Sequence, residues 1–363
     1  MSLRDSLYCG RQHMLATMLF VWTLTWSQIA AAADPGIIIA PGNGSFSFID
    51  EQGDPSKQIT VYTYLPEGLK PSVAPIVFVM HGHGKNSKGY RDVWAEHADK
   101  YQFMVVVPLF DKEQWGGGDY SYASVIAKNG KPQAKLMWSF TVIEHLFDLI
   151  KRSTGNENPS YFIYGHSEGG QFVHRLVLFL PDARFARAVA ANPGWYTMPT
   201  FDVKFPYGLD GSPATEESLK KSLGREFVLM LGDRDTDPNH KDLRKTPEAM
   251  AQGVHRFERG QNYIKEARSR ATELKCKFGW NIRVVPGAAH QNSEMSGPAA
   301  AVLMGGRFSR SAYHNHETFW ASLGILGFVK RADSFYKGGI PAVRELFSFP
   351  CLIYHRKPAI SKT

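Results

Sequence analysis

Tyr161-Phe162-Ile163-Tyr164-Gly165-His166-Ser167-Glu168-Gly169-Gly170-Gln171 is the stretch on which the reading of this chain turns. Its first four residues are apolar and suit a buried strand, while Gln171 to Leu180 continues with the spacing of a helix. Between them, Gly165 to Gly169 spells Gly-x-Ser-x-Gly. Glycine and serine are common, so the five-residue pattern says little by itself. Set between a strand and a helix, it specifies a tight turn that holds the Ser167 hydroxyl outward above a helix N-terminus. There the backbone N–H of Glu168 faces the place where negative charge would develop on an attacked carbonyl, and the helix dipole adds partial positive charge. Ser167 is the candidate nucleophile.

The chain on either side repeats the strand–helix theme. Ile59 to Leu65 alternates like a half-exposed strand and stops at Pro66. Pro75 to Met80 and Phe103 to Val107 are short continuous apolar runs, as strands buried on both faces require. Leu136 to Lys151 carries Met137, Phe140, Ile143, Phe147 and Ile150 at helical spacing. Ala186 to Ala191, Phe227 to Leu231 and Asn281 to Val285 are further strands, the last preceded by a charged helix from Tyr263 to Lys275. This alternation predicts an α/β fold, with a mostly parallel central sheet and helices on both faces, in one catalytic domain over residues 34–304. Two connections are long, 192–225 and 238–260. They read as lid-like loops or substrate walls, with plain surface excursions as the alternative. Trp195 and Tyr196 begin the first, near the sheet edge where Ser167 emerges. They are the candidate substrate-binding residues for flat or apolar groups.

Two further motifs supply what a serine nucleophile needs. Met80-His81-Gly82-His83-Gly84 ends an earlier strand in a glycine-rich turn, which aims backbone N–H groups, chiefly that of His83, at the same oxyanion. A metal-binding His-x-His pair is the alternative, but two ligands do not make a site and no second cluster accompanies them. A hydroxyl also needs a base. His290, after the last strand in Val285-Pro286-Gly287-Ala288-Ala289-His290, falls at the carboxyl edge of the sheet with Ser167. The acid that orients it comes from Leu231-Gly232-Asp233-Arg234-Asp235-Thr236-Asp237-Pro238, where spacing from Gly232 favours Asp235, then Asp237, then Asp233. The same run resembles the start of a calcium loop. Pro238 stands at the glycine position of such a loop and Arg244 at its terminal glutamate.

Serine, acid and histidine thus follow one another on successive strand ends. In this the chain resembles the α/β-hydrolase family, and within it the secreted polyhydroxybutyrate-depolymerase-like and feruloyl-type esterases. The resemblance covers roughly residues 59–304 and rests on His81-Gly82, the Gly165–Gly170 elbow, Gly232-x-x-Asp235 and His290. It implies that Ser167 forms an acyl-enzyme, that His290 then activates water, and that neither a metal nor an organic cofactor takes part. Its substrate would be a small-molecule or polymeric ester. Glu168 directly after the nucleophile is expected either to discourage anionic acyl groups or to face solvent. A serine peptidase or amidase with the same triad, and a non-catalytic binding protein on the same fold, are the competing readings; the second would be favoured by a missing triad member.

Composition fits an exported globular chain of 363 residues. Arg4 and Arg11 precede an apolar run from Met14 to about Ile29, and Ala30 to Ala33 offer small residues for cleavage. Residues 1–33 therefore read as a secretory signal, giving a secreted or periplasmic protein with no stable membrane span after cleavage. An uncleaved anchor helix is the alternative, though the run is short and holds Thr23, Thr25, Ser27 and Gln28. Of three cysteines, Cys276 and Cys351 remain after export and either pair or stay as thiols. The net charge of +8 is concentrated in a basic C-terminal extension, 305–363, with nine Lys/Arg against three Asp/Glu. Charge in a tail gives no ground for a nucleic-acid-binding body.

Overall fold

The computed structural model describes residues 37–305 apart from Gly117. The leader at 1–33, the extension beyond Gly305 and the pairing of Cys276 with Cys351 lie outside what it describes. The first elements are Gly42–Ile49 (β1), Gln58–Leu65 (β2), Ile76–Met80 (β3), Ser87–Tyr101 (α1) and Met104–Leu109 (β4). Ser139–Thr154 (α2), Tyr161–His166 (β5), Glu168–Phe179 (α3) and Phe185–Ala191 (β6) form the middle. Glu216–Leu223 (α4), Phe227–Gly232 (β7), Pro247–Ala251 (α5), Arg256–Glu273 (α6), Trp280–Val285 (β8) and Asn292–Met304 (α7) follow.

The strands make one sheet in the order β1-β2-β4-β3-β5-β6-β7-β8. β1 and β2 pair antiparallel, as do β2 and β4; every pairing from β4 to β8 is parallel. The expected α/β sheet is therefore present. Its two faces are read off the strand pleat. Ile76, Phe78 and Met80 of β3 point into a core shared with α2, α3 and α6. Val77 and Val79 point the other way, into a core with Trp94 and Ala98 of α1 and Met295, Ala299 and Leu303 of α7. All five β3 residues are fully buried, which is why the strand reads as a continuous apolar run rather than an alternating one. Burial of each such side chain contributes about 1.5–3 kcal/mol.

Several elements exceed the sequence reading. β1 reads GNGSFSFI and pairs only with β2 at the sheet edge, where alternate residues stay accessible. α1 holds mostly polar residues, and its N-terminus is marked by Asn86, whose side chain accepts the Gly89 N–H. The long 192–225 connection contains α4, opened by a reciprocal capping pair between Thr215 and Ser218. The 238–260 connection contains α5 and the first turn of α6. The latter begins at Arg256, with the His255 side chain accepting from Glu258 N–H.

Candidate active site

Parallel strands that share a sheet deliver their following loops to one edge. Ser167 follows β5, the Asp233–Asp237 run follows β7, and His290 follows β8, so all three candidates meet at the carboxyl edge. Ser167 stands between strand and helix at φ 58°, ψ −115°, a region that costs a non-glycine residue about 1–3 kcal/mol. Its neighbours must be glycine for want of room. A Cβ on Gly165 would lie 2.1 Å from the Gly169 carbonyl oxygen, and one on Gly169 would lie 2.1 Å from that of Met80. The turn is thus wedged between α3 and the end of β3, which fixes the hydroxyl.

Ser167 Oγ lies 3.0 Å from His290 Nε2, and His290 Nδ1 lies 2.7 Å from Asp235 Oδ2. Asp235 is 4% exposed and the His290 side chain 14%. The other two aspartates turn elsewhere. Asp233 accepts the Gly287 N–H at 2.7 Å, and exposed Asp237 accepts the Asn239 N–H at 2.8 Å. Asn192, left-handed at φ 44°, joins the two loops: its Oδ1 accepts the Gly232 N–H at 2.8 Å and its Nδ2 donates to the Ala289 carbonyl at 2.9 Å. No motif announces Asn192, because its role exists only once β6, β7 and the His290 loop are side by side.

The turn after β3 abuts the elbow. A Cβ on Gly82 would be 3.6 Å from that of Ser167 and 2.8 Å from the Tyr90 hydroxyl. The His83 side chain is 70% exposed, leaving its backbone as the part that belongs to this turn. Glu168 is the first residue of α3, where N–H groups lack intrahelical acceptors. Its carboxylate neither faces open solvent nor stands as a bare negative charge. Oε2 accepts from Lys85 Nζ at 2.9 Å, and that ammonium sits 4.1 Å from the centre of the Tyr120 ring. Burial lowers the Lys85 pKa, with Glu168 opposing.

Three histidines around the elbow are buried and kept neutral. Burial pushes His81 down to about 3; its Nε2 accepts the Phe110 N–H at 3.1 Å, and its ring stacks on Tyr120. His166 lies well below the ordinary range, by burial first and then the proximity of His290 and Arg256. Its Nδ1 meets the Tyr90 hydroxyl at 3.0 Å. His174 is lowered by burial and Arg175, and its Nε2 accepts the Thr197 N–H. With His81 buried and His83 exposed, this His-x-His pair does not converge. Among the described residues no three His, Cys, Asp or Glu side chains gather as a metal ion would need.

The aromatics expected to wall a pocket point inward. Tyr196 is fully buried, stacked on Tyr263 with ring centres 4.4 Å apart, so it presents no surface to a ligand. Trp195 is 3% exposed and lies between two guanidinium groups, Arg175 at 4.2 Å and Arg244 at 4.8 Å from its ring centre. The aromatic-rich sequence of this segment reports packing and cation–π contact. Arg175 is completely buried, and desolvation brings it down to about 10. The arginines packed nearby were equally silent in sequence, because Arg175 lies on α3, Arg244 in the connection after β7, and Arg256 and Arg259 on α6.

This fold and this site define a class: the chain belongs to the α/β-hydrolase family of esterase-like hydrolases. It is 42% identical to poly(aspartic acid) hydrolase-1 from Sphingomonas sp. KT-1, over 73% of this chain and 99% of that one, with a TM-score of 0.70. It is 34% identical to a poly(3-hydroxybutyrate) depolymerase from Bordetella parapertussis, over 76% of this chain and 93% of that one, with a TM-score of 0.71. No family model matches the sequence, and no curated protein matches it. No helix among the described residues is long and apolar enough to cross a membrane.

Proposed function

We propose that the protein is an exported serine hydrolase that cleaves carboxylic esters through Ser167, His290 and Asp235. The observation that carries this reading is the continuous hydrogen-bond chain from Ser167 Oγ through the His290 imidazole to Asp235. In the first half-reaction Ser167 Oγ attacks the ester carbonyl carbon while His290 Nε2 takes the hydroxyl proton. Asp235 stays ionised, holding Nδ1–H and stabilising the imidazolium. The carbonyl oxygen becomes an oxyanion before the Glu168 and His83 backbone amides. Collapse breaks the bond to the alcohol oxygen, which leaves with the proton from Nε2, and Ser167 keeps the acyl group. Water then attacks with His290 as base, the acid departs, and Ser167 recovers its proton. No residue in this sequence of steps calls for a metal or organic cofactor.

Both relatives named above act, by their names, on polymers, which supports a polymeric ester as well as a small one as substrate. Amide cleavage is a second reading, favoured by the poly(aspartic acid) hydrolase at 42% identity. Residues 1–33 carry the export half of the proposal, since their charge–apolar–small pattern is that of a cleaved leader. One experiment tests the core of it. A phosphonate ester should inactivate the purified protein stoichiometrically and leave an adduct on Ser167 by mass spectrometry. Turnover of nitrophenyl esters, 3-hydroxybutyrate oligomers and poly(aspartic acid) then ranks the substrates. Persistent activity with Ser167 unlabelled would remove the serine mechanism.

A further inference from the structure

The carboxylate that holds His290 has a second partner. Arg256, the first residue of α6, donates from Nη1 to Asp235 Oδ1 at 3.2 Å, while Oδ2 faces His290 Nδ1 at 2.7 Å. Both members of the ion pair are buried, Arg256 at 2% and Asp235 at 4% exposure. Arg256 Nη2 reaches His240 Nδ1 at 3.2 Å, where the Asp242 N–H also arrives at 3.1 Å. Burial, then Arg256 and His290, lower the His240 pKa, so its Nδ1 stands as an acceptor. The His240 ring in turn lies edge-on to that of His290, centres 5.6 Å apart. The start of α6 is tied to the same loop, since the Phe257 N–H donates to the Asp235 carbonyl at 3.2 Å.

A carboxylate has two equivalent oxygens and a soft terminal torsion, so a histidine alone does not settle which oxygen it meets or at what angle. Here each oxygen has one partner. The guanidinium is planar and permanently charged, and its two nitrogens reach different acceptors, which makes it a brace between Asp235 and His240. We propose that Arg256, held from behind by His240, is a positioning residue for the hydrolytic reaction. It fixes the Asp235 carboxylate so that Oδ2 alone addresses His290. This rests on the reading of Ser167, His290 and Asp235 given under the proposed function.

The test is a double-mutant cycle on the full chain, with kcat and KM measured for a soluble nitrophenyl ester. Arg256→Met should lower kcat by about 10- to 100-fold with KM little changed, short of the ~10⁴-fold loss expected for the acid itself. In an Asp235→Asn background the same change should lower kcat by less than about threefold, because the oxygen that Arg256 braces no longer sets the base. Arg256→Lys keeps the charge on Asp235 and should recover about tenfold over methionine. Arg256→Met alone leaves a buried carboxylate without its cation, so it can fail to fold. The Asp235→Asn/Arg256→Met pair leaves no such charge, and with Arg256→Lys it then carries the test. Equal losses in both backgrounds, or a rise in KM with kcat intact, would overturn the proposal. Ser167→Ala run alongside separates the two readings: if it stays active the triad falls, whereas an inactive Ser167→Ala with an additive cycle removes only the role of Arg256.

Discussion

On the side of the site proposed to carry the nucleophile, Ser167 is held by backbone. Gly165 and Gly169 admit the Met80 carbonyl and the first turn of α3 at distances no side chain would allow. On the side proposed to supply acid and base, His290 and Asp235 hang on loops after β8 and β7, and side chains do the fastening: Asn192 between the loops, Arg256 on the carboxylate. A turn made by backbone sterics is fixed by a few adjacent residues. A geometry made by side-chain hydrogen bonds is spread over the chain and can be altered one residue at a time. The nucleophile side should therefore respond to mutation as all or none, and the acid–base side in degrees.

The largest effect tests the first half of that contrast. Ser167→Ala should reduce ester turnover by about 10⁴- to 10⁶-fold, by comparison with measured triads. Thermal melting should be almost unchanged, because the turn is set by its neighbours. A variant that keeps more than a few per cent of activity would place the nucleophile elsewhere. On the other side, Asp235→Asn should lower kcat by about 10⁴-fold, since the amide supports the wrong imidazole tautomer. Asp233→Asn and Asp237→Asn should each change kcat by no more than about threefold, an exposed or loop-only hydrogen bond being worth about 1 kcal/mol or less. Comparable losses at all three would mean that the 2.7 Å contact to His290 is not the one that matters.

How far the sequence carries follows the same division. The sheet was legible because β3, β4, β5 and β7 are buried on both faces and so read as unbroken apolar runs. The elbow was legible because its glycines, its strand and its helix are contiguous. Asp235 and His290 were legible as loop positions after strands, and spacing from Gly232 ranked Asp235 ahead of its neighbours. Asn192, Arg256 and Lys85 were not, since each acts across a gap in the chain that only folding closes. β1 and α1 escaped for a different reason: an edge strand and a mostly polar helix bury too few side chains to leave a pattern. Trp195 and Tyr196 were visible but misleading, because an aromatic in a long connection looks alike whether it faces a ligand or a core.

Trp195 gives the next test. Buried between Arg175 and Arg244, it should behave as a packing residue, and Trp195→Ala should destabilise the protein by about 3–5 kcal/mol in denaturant titrations. The surviving folded fraction should lose kcat/KM equally for acetate and aromatic esters. A loss confined to bulky or aromatic esters would restore Trp195 to the substrate pocket and blur the contrast between a sterically fixed elbow and its surroundings.

The neutral histidines set a pH limit on the nucleophile side. His81, at about 3 in the folded protein, sits below its ordinary 6.5. A base with a lowered folded pKa binds fewer protons than the unfolded chain, so stability rises with pH between the two values and falls on acidification. For His81 the loss should be about 1.4 kcal/mol per pH unit once the pH drops below roughly 6.5. His166 and His174 act in the same direction. Denaturant midpoints should therefore fall measurably from pH 7 to pH 5, and His81→Gln should flatten that dependence. An unchanged slope in the variant would show that the buried imidazole is not what makes the elbow acid-sensitive.

The smallest expected effect concerns Glu168, which belongs to both sides of the comparison: its amide starts α3 beside the nucleophile, while its side chain reaches out to a loop. Its carboxylate is matched by the Lys85 ammonium at 2.9 Å, and that ammonium also rests over Tyr120. Glu168→Gln leaves the backbone amide in place and keeps a hydrogen-bond acceptor, so only the charge is lost. A partly exposed pair of this kind contributes about 1 kcal/mol or less, which corresponds to no more than about fivefold in any rate it touches. Had the glutamate stood as an unpaired negative charge, its neutralisation would speed turnover of anionic acyl esters relative to neutral ones. With Lys85 already balancing it, the variant leaves an unmatched cation, and the ratio of kcat/KM for a succinyl ester to that for a butyryl ester should shift by only a few-fold. A large gain confined to the anionic ester would mean that Glu168 does repel negative acyl groups, and that a side chain, not backbone alone, tunes the nucleophile side of the site.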